Sequence, residues 1–278
     1  MGRKEGTVLV LGGRSRALWA SCWSLVWGIL ALAWVATPPA QAAHPLRPGL
    51  PRLQRPPVPA LAPPPLPTPG QPKRHRGGRY FVYPPLEPTA ARASLILMLH
   101  GMCSDALATC DFWSRAGREG SFLLCPEGNG RCGDRPDWQG TGEDKAYFLD
   151  GVIAAARAAY GPHLAAPGRD ILIGFSRGAF VARDVAYARP GRYRGLILIG
   201  AALRPDPERL RASGIRRVVL AAGDYDGARP TMQLAAAELD AAGLTSLYVS
   251  TGKIWHQLPA DLEQILRAAI RWIDEAPP

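Results

Sequence analysis

Chemistry is suggested first by the segment around Ser176. Ile171-Leu172-Ile173 is an apolar run that leads directly into Gly174-Phe175-Ser176-Arg177-Gly178, and a helical pattern follows over Arg177–Tyr187. A Gly-x-Ser-x-Gly segment between a strand and a helix forces its serine into a strained turn and lifts the hydroxyl above the sheet edge. The flanking glycines leave room that side chains would fill in so tight a bend. A serine hydroxyl is a weak nucleophile without a neighbouring base. His256 is the candidate base. It lies in Gly252-Lys253-Ile254-Trp255-His256-Gln257, after the last strand-like run and before the last helical pattern. An acid is then needed to orient the imidazole and balance its charge. Asp224 and Asp226 both follow the run Val218–Ala221, and their position leaves both open. The aspartate not used in this way is free to cap the next helix or bond turn amides.

A fourth element lies at the end of an early strand, in Leu97-Met98-Leu99-His100-Gly101-Met102-Cys103. The backbone N–H of Met102, paired with that of Arg177, would stabilise an oxyanion. His100 is read as holding this loop rather than acting as base, and Cys103 fits a disulfide that pins it. Trp138, Tyr225 and Trp255 are candidates for lining a substrate pocket and equally for the core, and the Arg177 side chain for meeting a substrate carboxylate or for ordinary surface exposure. This chemistry requires no metal and no organic cofactor.

Four such groups can meet only if the strands that carry them end near one another. Strand-like runs occur at Tyr80–Tyr83, Leu95–Leu99, Phe122–Cys125, Ile171–Gly174, Leu196–Ile199, Val218–Ala221 and Ser246–Ser250. Most are short and continuously apolar, the pattern of parallel strands covered on both faces. Helical patterns fall between them at Lys145–Tyr160, Arg177–Tyr187, Thr231–Ala242 and Ala260–Ile273. The alternation predicts an α/β domain with a mostly parallel sheet over residues 80–278.

Charge and cysteine content place this domain in a larger plan. The 278 residues carry a formal net charge of +10, and 47% of them are hydrophobic, which supports a sizeable core and excludes wholesale disorder. Residues 1–42 carry a net +3 and residues 43–79 a net +7, whereas residues 80–278 balance at 22 basic against 22 acidic. The domain therefore lacks the basic excess of a nucleic-acid-binding body. Ala17–Ala36 is uncharged, basic residues precede it, and Ala40-Gln41-Ala42 fits a small-x-small cleavage site. Residues 1–42 are read as a signal peptide or, if uncut, as an N-terminal membrane anchor. Residues 43–79 contain twelve prolines among 37 residues and are read as a semi-rigid linker. Its basic charge offers peripheral contact with an anionic envelope surface. Removing the leader removes Cys22 and leaves Cys103, Cys110, Cys125 and Cys132. An even count in an exported chain, periplasmic or extracellular, predicts two disulfides, with local and crossed pairings both open. Zinc ligation is the rival reading, and the spacing lacks a CxxC knuckle.

Taken together, these segments resemble the α/β-hydrolase superfamily. The resemblance rests on His100-Gly101-Met102, on the Gly174–Gly178 turn, on His256, and on the chain order Ser, Asp, His. An acid-loop pattern of Gly, two residues, Asp, three residues and Pro matches Gly223, Asp226 and Pro230, and so favours Asp226 over Asp224. The resemblance covers about residues 80 to 275. It implies an α/β-hydrolase fold with helices on both faces of the sheet. It also implies hydrolysis of small or medium carboxylic esters through an acyl-enzyme. Serine peptidases and acyltransferases use the same triad on this fold, and a non-catalytic exported binding protein is the alternative of another class. The stretch Cys125-Pro126-Glu127-Gly128-Asn129, with Trp138 and Glu143-Asp144, resembles the exported polyhydroxybutyrate-depolymerase and feruloyl-esterase-like branch. Dienelactone hydrolases match less closely, since they carry a cysteine where this chain has Ser176. The segment Gly200 to Arg216 is too short for a large lid.

Overall fold

A computed structural model describes residues 66–75, 78–87 and 92–276. The chain divides into units Met1–Val58 and Pro59–Pro278, and every described residue belongs to the second. The stretch read as a leader, residues 1–42, and the first part of the stretch read as a linker lie outside the described residues.

The elements in chain order are β1 (Pro72–His75), β2 (Gly78–Tyr83), β3 (Ser94–Leu99), α1 (Ala106–Gly117), β4 (Ser121–Pro126), β5 (Gly130–Cys132), β6 (Arg135–Asp137) and α2 (Gly142–Tyr160). They continue with β7 (Asp170–Phe175), α3 (Arg177–Ala188), β8 (Tyr193–Ile199), α4 (Pro207–Ala212), β9 (Arg217–Ala222), α5 (Arg229–Ala241), β10 (Ser246–Ser250) and α6 (Leu262–Asp274). Eight strands form one sheet in the order β1-β2-β4-β3-β7-β8-β9-β10, and β5 pairs with β6 in a separate hairpin. The pairs from β4 across to β10 are parallel, while β2 runs antiparallel to both β1 and β4. This is the α/β-hydrolase fold.

Alternation along each central strand divides the core into two layers. Leu95, Leu97 and Leu99 pack with side chains of α2, α3 and α5, whereas Ile96 and Met98 face those of α1 and α6. Full burial of each such side chain stabilises by about 1.5–3 kcal/mol relative to exposure. Both faces of the sheet are thus covered, which is why these strands read as unbroken apolar runs. The end strand β10 is only partly buried, as an edge position implies.

The sheet begins earlier than the sequence suggested. β1 falls inside the stretch read as linker, in Pro-Lys-Arg-His. Its proline opens an edge strand, where a missing N–H costs no central ladder bond. Proline and three basic or imidazole side chains hide the strand in a linker-like composition. Helix α1 was also not anticipated. Its buried Ala106, Cys110, Trp113 and Ala116 do follow helical spacing, and Asp105 caps it by accepting from the N–H groups of Leu107 and Ala108 at 2.8 and 3.2 Å. Between β8 and β9 the chain holds only one short helix, the six-residue α4.

One buried ion pair ties α2 to the start of β7. Arg157 donates from Nη2 to both carboxylate oxygens of Asp170 at 2.8 Å, and its Nη1 donates to the Ala165 carbonyl. Burial nonetheless raises the Asp170 pKa, because the loss of solvation outweighs the attraction of Arg157.

Candidate active site

β3 and β7 are neighbours, yet the connections that follow them leave in opposite directions. The chain passes from β3 to β4 on one side and from β7 to β8 on the other. In open α/β sheets a crevice forms at the carboxyl ends of strands where the order reverses. Ser176 follows β7, Asp226 follows β9, His256 follows β10 and Met102 follows β3, so all four candidates sit at carboxyl ends of the sheet.

Ser176 has φ 54° and ψ −120°, and it stands immediately before α3. A non-glycine residue there is strained and persists only where its surroundings enforce it. Close packing around Gly178 does this. A methyl group on Gly178 would overlap the Leu99 carbonyl oxygen, so only glycine lets α3 come this near β3. The first N–H groups of a helix have no partner within it, and Arg177 is the first residue of α3.

The imidazole of His256 bridges the other two side chains. Its Nε2 lies 2.9 Å from Ser176 Oγ and its Nδ1 lies 2.9 Å from Asp226 Oδ2. With an N–H at Nδ1 donating to the carboxylate, Nε2 is free to accept the serine proton. Asp226 is only 7% exposed, and its second oxygen accepts from the Ala228 N–H at 2.9 Å. Phe175 stacks on the imidazole with ring centroids 5.2 Å apart. The loops bearing acid and histidine are bonded together. The N–H groups of Asp224 and Tyr225 donate to the carbonyls of Gly252 and Ile254 at 2.8 and 3.0 Å.

The structure separates the two aspartates. Asp224 accepts from Ser250 Oγ at 2.7 Å and lies 3.8 Å from Arg229 Nη1, so it secures the end of β10 and the start of α5. Asp226 alone meets the histidine.

The loop after β3 reaches the serine. A Cβ on Gly101 would lie 3.5 Å from Ser176 Cβ. His100 is fully buried, and its two ring nitrogens each lie 2.7 Å from a carbonyl oxygen, those of Gly101 and Glu127. It holds the loop, as expected. The cysteines pair in a crossed arrangement, Cys103–Cys132 and Cys110–Cys125, with Cα separations of 5.3 and 6.0 Å. The local pairings are not formed.

Two of the pocket candidates are placed by their surroundings. Trp138 is fully buried, donates from Nε1 to the His100 carbonyl at 3.0 Å, and belongs to the core rather than to a substrate pocket. Arg177 donates from Nη1 to Asp137 Oδ2 at 3.0 Å, so its guanidinium is already engaged by a carboxylate. Tyr225 and Trp255 do stand exposed, with ring centroids 5.5 Å apart, and Met102 projects into solvent. Sequence reasoning passed over Gly200. Its φ is 60°, and a Cβ there would lie 3.2 Å from His256 Cε1 and 3.3 Å from Asp226 Oδ2. A lone glycine after an apolar strand carries no signal of that proximity.

No family model and no curated protein matches the chain. Solved structures do. A structure of esterase PE8 is 24% identical over 69% of this chain and 97% of its own, with a TM-score of 0.52. A Bacillus cereus carboxylesterase is 16% identical over 72% of this chain and 95% of its own, with a TM-score of 0.53. A Pyrobaculum calidifontis esterase is 14% identical over 70% and 80%, also at 0.53. At these identities the likeness concerns the fold.

Proposed function

We propose that the chain is a serine hydrolase of small or medium carboxylic esters. The observation that carries this reading is the unbroken hydrogen-bonded series Asp226–His256–Ser176, with the serine held at positive φ before a helix. His256 takes the proton as Ser176 Oγ attacks the acyl carbon. The carbonyl oxygen becomes an oxyanion facing the N–H groups of Met102 and Arg177. The carbonyl re-forms, the alcohol leaves with the proton from His256, and water repeats the sequence on the acyl-enzyme. Asp226 keeps the imidazole in the productive tautomer and balances its transient charge.

Esterases and carboxylesterases among the structural neighbours support the ester class. The paired cysteines support export to an oxidising compartment. The finer placement, beside the exported polyhydroxybutyrate-depolymerase and feruloyl-esterase-like proteins, rests on the sequence resemblance alone.

The test is turnover of p-nitrophenyl esters of graded acyl length by the oxidised protein, beside Ser176→Ala. Hydrolysis of the shorter esters, lost in the variant, is expected. Equal rates in the two proteins would refute the serine mechanism.

A further inference from the structure

The two amides assigned to the oxyanion come from different segments, Met102 from the loop after β3 and Arg177 from the head of α3. The width of the hole therefore depends on how those segments are held against each other. Both are tied to one small element. Cys132, the last residue of β5, is crosslinked to Cys103, the neighbour of Met102. Asp137, the last residue of β6, accepts from Arg177 at 3.0 Å. Trp138, the next residue, donates to the carbonyl of His100 in the same loop as Met102. The hairpin itself is short and registered, with Gly130 opposite Asp137 and Cys132 opposite Arg135.

Each tie is under physical constraint. Cys103 has φ 51°, a conformation that a side-chain-bearing residue keeps only when held. Asp137 is 5% exposed, and its Oδ1 is buried without a hydrogen-bond partner. Breaking the contact with Arg177 would strand a buried carboxylate, which is strongly unfavourable. The other disulfide differs in setting. Cys110 and Cys125 are fully buried between α1 and β4, whereas Cys103 and Cys132 are only half-buried.

We propose that the β5–β6 hairpin is the positioning element of the oxyanion hole. It acts through Cys132 on the Met102 amide and through Asp137 on the Arg177 amide. This rests on the esterase reading given above. Cys132 and Asp137 are positioning residues, because they act only through the two donors. Loosening a donor should lower kcat more than it raises KM, because the donors bind the transition state more tightly than the ester.

The experiment uses the full oxidised chain and p-nitrophenyl butyrate. Cys103→Ser/Cys132→Ser and Asp137→Ala should each lower kcat about 10- to 100-fold, with KM within about threefold. Asp137→Asn keeps an acceptor for Arg177 and should restore kcat to within about threefold of wild type. Limited reduction gives an arm that needs no variant to fold. A small dithiol delivers two electrons and two protons to Cys103–Cys132, leaving two thiols, and ends as its own cyclic disulfide. It should reach this half-buried pair before the buried one. Turnover should fall as the free thiols of Cys103 and Cys132 rise, read by alkylating and mapping quenched aliquots, and should return when the unalkylated remainder is reoxidised. Ser176-dependent turnover that withstands both reduction and Asp137→Ala would overturn the inference and leave the esterase reading intact. A wild-type protein without Ser176-dependent turnover would overturn both.

Discussion

Asp224 and Asp226 stand two residues apart on one loop, and their partners give them different work. Asp226 is nearly buried and faces His256 Nδ1, while Asp224 bonds Ser250 and lies near Arg229. Asp226→Asn should therefore lower kcat by about 10³- to 10⁴-fold, the scale of losing the right imidazole tautomer. Asp224→Asn should keep kcat within a few-fold and lower the melting temperature instead. Steady-state kinetics with thermal melts on both variants checks the assignment, and a large kcat loss in Asp224→Asn would reverse it. At this scale the sequence was informative where a residue type is rare in its context. Ser176 between two glycines, and His256 beyond the last strand, were legible for that reason. The choice between the aspartates needed the resemblance in addition, since both are short acids in one turn. The place of Trp138 stayed open between pocket and core because an aromatic ring suits both equally well. Only its burial and its bond to the His100 carbonyl distinguish the two.

Among the elements, the parallel strands were legible and the short pieces that brace them were not. β3, β7 and β8 are buried on both faces, so each reads as an uninterrupted apolar run. β5 and β6 have three residues each and are largely polar, and their position comes from a disulfide and an ion pair to distant residues. Nothing periodic could have revealed them. The pairing of the cysteines has the same cause, because it is set by the approach of α1 to β4 and of the hairpin to the loop after β3. Cys110–Cys125 closes a loop of 15 residues, worth about 3 kcal/mol by loop-closure entropy. Cys110→Ala/Cys125→Ala should lose stability of that order in denaturant titration, while the folded fraction keeps its kcat. Unchanged stability would show that the crosslink constrains little. The joint between α2 and β7 should show itself in pH dependence. The folded-state pKa of Asp170 is raised by burial above the usual 3.8. Its contribution to stability is thus fully present below the unfolded value and is lost as pH rises through the folded one. The stability difference between wild type and Asp170→Asn should accordingly decrease as pH rises from below 3.8. A difference that grows with pH would contradict the raised value.

For the whole molecule, the decisive feature is convergence. Strands far apart in sequence deliver Met102, Ser176, Asp226 and His256 to one end of one sheet, beside the point where the strand order reverses between β3 and β7. The alternation of strands and helices implied this arrangement, because parallel strands bring their carboxyl ends to the same side. The start of the sheet was less visible, since β1 is written in linker-like residues. Charge separates along the chain as well, with a balanced domain behind a basic amino-terminal region. The claim at the centre is that this convergence activates one serine. The most direct measurement is reaction of the folded, oxidised protein with a fluorophosphonate, followed by peptide mass mapping, beside His256→Ala. One adduct per molecule, on Ser176, formed far more slowly in the variant, is the expected result. A folded protein that forms no adduct, or forms it on another residue, would contradict the account.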